Sequence, residues 1–523
     1  MTFAHATAHN LPKAEAFLPA YEQFDSIIAL LQSSQAQKMS HSDLENLIET
    51  QGRELLRRLL QAHLDERGPG ISSEPVRDAQ GLLHSHKRLH TRSLESIFGT
   101  VTLTRLCYGS RASASLHPLD SQLNLPPELY SHTLRRRVAE AAAKESFDEV
   151  VHTIASSTGA DVPKRQAEEL VLRAAEDFNT FYETRGQATQ VKTTGQILVI
   201  SSDGKGVPVR RDDLRQATLK AASTRKPHLK HRRSKGEKPH TKRMATVAAV
   251  YTIARFRRSP DHIIGELFEQ SGSFQSRPRP ESKRVWASLK DSPKEVITQA
   301  FEEAFLRDPS QKKEWVALVD GNPSQLKMLE VAASTYEVKL RIILDLIHVL
   351  EYLWKATWAL HEEKDPAAEA WVSQRLEEIL KGHSSQVAAG IRRSATRRGM
   401  KASERAPLDK CANYLLKNGK YLRYDEYLEA GYPIATGVIE GACRHLVKDR
   451  MEITGARWRI EGAEAVLRLR ALRASGDFEE YWEYHLKQEY ERHHARQYAD
   501  GKVPEVLTEN KAENKVAHLR LVK

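Results

Sequence analysis

Three acids in this sequence stand where carboxylates could act together. Asp203 ends the apolar, β-rich run ILVISSDG and is followed by glycine in SSDGKG. Asp320 repeats the arrangement in ALVDGN. A strand delivers its last side chain to the sheet edge, and a neighbouring glycine lets a phosphate or metal approach the main chain closely. Asp-Gly is also a turn signal, so one such acid says little and two in like settings say more. The third acid is Glu440, early in a helix in GVIEGACRHLVKDR, where Val438, Ile439, Ala442, Leu446 and Val447 supply apolar contacts. There the positive end of the helix dipole favours its charge. Arg444 and Lys448 follow at i+4 and i+8 on the same side, placed to pair with a phosphate or with Glu440 itself.

The chemistry such a set would do is metal-dependent. Gathered carboxylates repel one another when ionised, so they form a site only around cations. Mg²⁺ (or Mn²⁺) is hard, prefers oxygen ligands and keeps several waters. Two such ions about 4 Å apart activate an attacking hydroxyl and stabilise a leaving oxygen in phosphodiester displacement. The plain alternative is that each acid is a turn or cap residue.

The elements that must position these acids read as α/β. After 197–204, MATVAAVYTIARF (244–256) reads as a buried strand, 294–307 as an amphipathic helix, and EWVALVDGN (314–322) as a strand ending in an acid. Helix 323–334 and strand 338–344 follow. Strands alternating with helices imply a sheet covered by helices. From about Ile347 to Glu429 the pattern turns helical, with Trp354, Trp358 and Trp371 among its apolar residues, and a helix near Thr436 then carries Glu440. The tail from about Asp477 is helical and charged.

Upstream, Ser42 and Glu45 have capping-box spacing. Leu44, Leu47, Ile48, Leu55, Leu59 and Leu60 recur at helical spacing until Arg67-Gly68-Pro69-Gly70, which reads as a packing helix. Residues 92–108 read as a β-hairpin with its turn at Gly99. His84, His86 and His90 lie nearby, but no cysteine or acid stands at ligand spacing, which argues against a metal site. Residues 147–175 pattern as a helix-turn-helix: Phe147, Val150, Val151 and Ile154 mark the first helix, and Ala167, Leu170, Val171 and Ala174 the second. Lys164, Arg165, Gln166 and Arg173 project from the second helix, and Arg and Gln are the types that read guanine and adenine in a major groove. An ordinary helical hairpin with a solvated face gives the same pattern.

The three motifs also carry a family resemblance. SSDGKGV, ALVDGN and GVIEGACRHLVKDR occur in the order and setting seen in DDE transposases of bacterial insertion sequences. Within these the chain most resembles the ISKra type, related to the Mutator-like group, over about residues 190–490. Asp345-Leu-Ile-His348 is similar to the Asp/Cys-x-x-His motif that opens the helical insertion of that group, and TGARWRIEGAEAVLRLRAL (454–472) is also similar. The Tyr-Arg-Glu-Lys signature of another transposase group is not reproduced around Glu440, so its strand-gripping roles are not assigned.

The resemblance implies an RNase H-like α/β core interrupted by an all-helical insertion. It implies Asp203, Asp320 and Glu440 as the metal-binding catalytic triad with two Mg²⁺ or Mn²⁺ ions, and hydrolysis at an element's end followed by strand transfer. Asp345 and His348 would then support the active site; the alternative is a hydrogen-bonded structural pair. Trp458 could stack on an unpaired base or belong to the core. The rival activities are a structure-selective nuclease such as a junction resolvase, or a DNA-binding protein derived from a transposase.

Composition agrees with a polyanionic partner. The chain has 523 residues and a net charge of +11, with 40% hydrophobic and 28% charged residues. Between Arg225 and Arg243 nine residues are Lys or Arg, including Arg232, Arg233 and Lys235, and only Glu237 is acidic. Such a segment suits backbone contact with double-stranded DNA, both element ends and target; a solvated loop is the alternative. No apolar run reaches the roughly 20 residues of a membrane span. The start has no signal-peptide pattern, and Cys107, Cys411 and Cys443 are far apart, which argues against disulfides and a cysteine zinc site. The expected setting is the cytoplasm of a bacterium, at the nucleoid. The expected assembly is a homodimer or higher oligomer, because two ends must be joined in one complex. The expected division is 1–80 helical, 81–190 hairpin and helix-turn-helix, 191–346 core, 347–432 insertion, 433–475 final core helix and 476–523 tail.

Overall fold

The computed structural model describes residues 15–111, 113–188, 195–224, 241–269, 276–453 and 455–507. The chain divides into two compact units, Met1–Asp177 with Glu479–Lys523, and Phe178–Phe478. No helix among the described residues is long and apolar enough to cross a membrane.

The first unit is helical around one hairpin. Its long helix His41–Glu66 is capped by Ser40, whose hydroxyl accepts from the Asp43 N–H at 3.2 Å. The cap therefore falls two residues before the expected Ser42. The helix stops where expected, with Gly68 and Gly70 at φ 70° and 80°. Its leucine stripe is less buried than expected: Ile48 and Leu59 are exposed, and Ala62 is the residue it buries. β1 (Ile71–Ser72) precedes the hairpin of β2 (His86–Ser96) and β3 (Gly99–Gly109), which pair antiparallel from Ser96↔Gly99 to His86↔Gly109. Helices His132–Ala142, Phe147–Ser157 and Lys164–Ala174 follow. Ser146 and Glu149 form a capping box on the second of these.

The C-terminal segment completes this unit rather than forming a free tail. Tyr481 donates to the Ala174 carbonyl at 2.7 Å, His485 meets Asp177 at 2.7 Å, and Glu489 pairs with the buried Arg135 at 2.5 Å. β9 (Val506–Leu507) pairs antiparallel with β1.

The second unit is a five-stranded mixed sheet with helices. β4 (Ile197–Pro208), β5 (Lys242–Ile253), β6 (Glu281–Ser288), β7 (Glu314–Val319) and β8 (Leu340–Leu344) stand in the order β6-β5-β4-β7-β8. β5 runs antiparallel to β4 and β6, while β4, β7 and β8 are parallel to one another. β6 was not foreseen in the sequence. The strands are buried in continuous runs, as strands covered on both faces must be. Five helices, from Leu346–Thr357 to Tyr424–Ala430, fill the chain between β8 and the helix that carries Glu440.

Candidate active site

The parallel register places three acids in one row. Ser201 pairs with Leu318, and Leu318 with Ile343. Counting two residues on along each strand brings Asp203, Asp320 and Asp345 to the same level. Asp320 and Asp345 directly follow β7 and β8, whereas Asp203 lies within β4, which runs on to Pro208 in its pairing with β5 and so does not end at the acid as expected. Neighbouring strands lie about 4.8 Å apart, so the row is compact. Asp203 and Asp320 are half-buried, whereas Asp345 is 2% exposed.

Each acid is held by local chain geometry. After Asp320 the chain turns sharply at Gly321, whose φ of 89° lies in the left-handed region glycine tolerates. A side chain there would meet Leu344 at 3.2 Å and the Tyr414 hydroxyl at 3.3 Å. The Asn322 N–H donates to Asp320 Oδ1 at 3.0 Å, and Asn322 caps the helix Pro323–Thr335. Gln325 on that helix donates to the Ser202 carbonyl and hydroxyl, each at 2.6 Å, which fixes it against the strand that carries Asp203. Asp345 caps the next helix through the Ile347 N–H at 3.2 Å.

Glu440 reaches the row from a separate element. Its helix, Gly437–Ala442, packs against β4 and β5. The Thr436 hydroxyl donates to Asp345 Oδ2 at 2.7 Å and stands 3.4 Å from Glu440 Oε1; the Thr436 N–H donates to Asp345 Oδ1 at 3.1 Å. One turn beyond Glu440, the Cys443 thiol donates to Asp203 Oδ2 at 3.2 Å. Thr436 and Cys443 thus fasten the Glu440 helix to Asp345 and Asp203. Burial and then the charge of Asp345, with that of Asp203 behind it, raise the Glu440 carboxyl above its ordinary value. Burial also raises Asp345, against its bonds to Thr436. Burial and Asp203 push the Cys443 thiol well up, so it is a neutral donor.

Several sequence expectations change in position or role. Asp345 takes Thr436 and Ile347 as hydrogen-bond partners, and His348 acts on it through charge alone. Arg444 and Lys448 are exposed, and Arg444 stands 4.0 Å from Asp449 rather than pairing with Glu440. The helix widens into a π turn over Cys443–Lys448, which shifts the phase on which the i+4 and i+8 expectation rested. Trp458 is 8% exposed, donates through Nε1 to the Met451 carbonyl at 3.0 Å and lies under Arg450. Its ring is core, and no base can stack on it. Thr436 and Cys443 were assigned no role in the sequence, although Cys443 lies within GVIEGACRHLVKDR; only the fold brings them to the acids.

Among the residues expected to meet DNA, the helix Lys164–Ala174 forms where predicted. Arg165 is highly exposed and pairs loosely with Glu169 at 3.2 Å, and Gln166 is half-buried. Lys164 is held by Asp148 at 2.8 Å and Arg173 by Glu128, so neither projects free. Arg232, Arg233 and Lys235 lie outside the described residues. At the end of the same basic run, Lys242 binds Glu452 at 2.6 Å and Arg243 donates to the Leu289 carbonyl at 3.1 Å.

No family model matches the sequence. No curated protein matches it either. Among solved structures, a chain of the "Drosophila P element transposase strand transfer complex" aligns with 73% of this chain and 84% of its own length, at 11% identity and a TM-score of 0.23. A likeness that loose carries no argument about fold or activity.

Proposed function

We propose that this chain is a DDE-type transposase of an insertion sequence, with Asp203, Asp320 and Glu440 as the acids that hold two Mg²⁺ or Mn²⁺ ions. The observation that carries the reading is the register that puts Asp203 and Asp320 at one level on adjacent parallel strands, with the Glu440 helix fastened to Asp203 through Cys443. An RNase H-like core is supported by the sheet order, in which the second strand alone is antiparallel among five, and by the acids, which stand just beyond the point where the parallel pairing of β4 with β7 stops. The ISKra-type assignment rests on the sequence motifs.

The donor set fits a hard divalent cation, since all its members are carboxylates. Burial first and then the charges of Asp345 and Asp203 raise Glu440, and a cation among these acids would relieve that repulsion. When bound, the ions supply activation of water or hydroxyl and stabilisation of the leaving oxygen. The chain's own part is to fix the acids: Asn322 and Gly321 hold Asp320, Cys443 holds Asp203, and Asp345 through Thr436 positions Glu440. Arg165 and Gln166 are the candidates for base contact on the DNA-binding helix.

The test is cleavage and joining of labelled DNA taken from the ends of the element that encodes the chain, with Mg²⁺ or Mn²⁺. Joined products from the wild type, lost in Asp203→Asn, Asp320→Asn and Glu440→Gln while DNA binding persists, are expected. Cleavage without joining would make the chain a nuclease. Variants that cleave like the wild type would remove the triad from the chemistry.

A further inference from the structure

Outside the carboxylate row, one cluster of metal-ligating side chains stands out among the described residues. It lies in the first unit, where ligand atoms of His90, Cys107 and His117 all fall within 4.8 Å of one another. Sequence spacing could not show this, because the three come from two strands and a loop. On the hairpin His90 pairs with Arg105 and Arg88 with Cys107, so His90 and Cys107 share a face on a diagonal. His117 arrives because the chain doubles back: Leu116 and Tyr108 exchange backbone hydrogen bonds of 2.8 and 2.9 Å, which seats the next residue beside Cys107. Pro118 then opens the short helix Pro118–Gln122.

Two further observations point to a ligand. His117 Nε2 is buried with no hydrogen-bond partner, a condition that costs free energy unless something binds there. A cavity of about 230 Å³, lined by His117, Arg92, Arg105 and Asp120 among others, opens beside it and leaves room for a further ligand. The chemistry of the set is soft: a thiol and two imidazoles suit Zn²⁺, which takes Cys and His in tetrahedral sites. The facing charges are Arg88, directly across from Cys107, and Arg92 and Arg105, which are both paired with Asp120. Arg105 would face the Cys107 thiolate that binding creates.

We propose that His90, Cys107 and His117 form a Zn²⁺ site that clamps the hairpin to the segment leading into Pro118–Gln122, with its fourth position open to the cavity. Binding breaks the Cys107 S–H bond, forms the metal–sulfur bond and releases the proton to solvent. The imidazoles bind neutral. The site would be structural and independent of the carboxylate row, so it stands or falls apart from the transposase reading.

The test uses the full-length chain, stripped with a chelator and titrated with Co²⁺ and then Zn²⁺ alone. One Co²⁺ per chain is expected to show the visible bands of tetrahedral cobalt and a thiolate-to-cobalt charge-transfer band that Zn²⁺ abolishes; Co²⁺ taken up at the carboxylates has oxygen ligands and adds no such band. Cys107→Ser should lose that band and Cys443→Ser should keep it. Because Cys107 is buried and its variant could misfold, His90→Asn on the exposed strand face gives the second arm; it should remain folded and lose the rise in Tm that Zn²⁺ gives the wild type. Absence of the tetrahedral and charge-transfer bands, a charge-transfer band that survives in Cys107→Ser or vanishes in Cys443→Ser, or an undiminished Zn²⁺-dependent Tm rise in His90→Asn would overturn the proposal.

Discussion

At the scale of single residues, the candidate active site depends on small groups that hold its acids. Thr436 is the clearest. Its hydroxyl and N–H both bind Asp345, and the hydroxyl also faces Glu440. Removing the hydroxyl in Thr436→Val leaves Asp345 Oδ2 short of a donor and frees the start of the Glu440 helix. Supporting partners of this kind are worth roughly 10–100-fold in activity. A loss of that size in strand cleavage, with unchanged DNA binding and circular dichroism, is expected; full activity in Thr436→Val would remove its positioning role. Gly321 is the second case. Gly321→Ala puts an L side chain at φ 89° and against Leu344 and Tyr414. The backbone alone costs about 1–2 kcal/mol, and urea denaturation should show at least that loss.

At the scale of elements, the helix Lys164–Ala174, proposed to meet DNA, divides by how its cations are already used. Arg165 is open to solvent with one loose partner, whereas Arg173 is bound to Glu128, which also takes the buried Arg135. Arg165→Ala should therefore weaken binding to the element's end, measured by fluorescence anisotropy, with little change in Tm. A contact to a base of this kind is worth about 1–3 kcal/mol. Arg173→Ala should do the reverse, lowering Tm more than affinity. Equal effects of the two on affinity would mean that Arg173 leaves Glu128 when DNA binds.

At the scale of the whole molecule, the C-terminal segment stabilises the first unit through a buried ionic network. Burial alone would raise the Glu489 carboxyl, but the charge and hydrogen bond of Arg135 outweigh it and hold it down at about 2. A folded-state value below the ordinary 4.5 means that this stabilisation is complete above about pH 4.5 and is lost as the pH falls towards about 2. Glu489→Gln leaves the buried Arg135 with Glu128 as its remaining carboxylate, so a loss below the roughly 3–5 kcal/mol of a fully unpaired buried charge is expected at neutral pH. The variant should be less stable at pH 7 and should lose less further stability between pH 4.5 and 2 than the wild type, as followed by urea unfolding at each pH. Parallel acid curves for the two proteins would show that other carboxylates govern acid unfolding.

What could be read from the sequence alone was what local chemistry dictates. Apolar β-rich runs leading into Asp-Gly marked β4 and β7, although β4 continues past the acid to Pro208, and an amphipathic pattern marked the helix Pro293–Arg307. The hairpin was legible because alternation and a glycine turn are short-range signals. β6 was missed, since ESKRVWAS begins with charged residues and is made a strand by pairing with β5. The Ser40 cap is local, made with Asp43 three residues on, and was missed in favour of Ser42, whereas the burial of Trp458 depended on which neighbours the fold supplied. The same holds for function. Types and spacing nominated Asp203, Asp320 and Glu440, but only strand register could place Asp345 in their row, bring Thr436 and Cys443 to their carboxylates, and gather His90, Cys107 and His117. Sequence distance says nothing of cross-strand distance, so partners that meet through pairing and chain return become visible only in three dimensions.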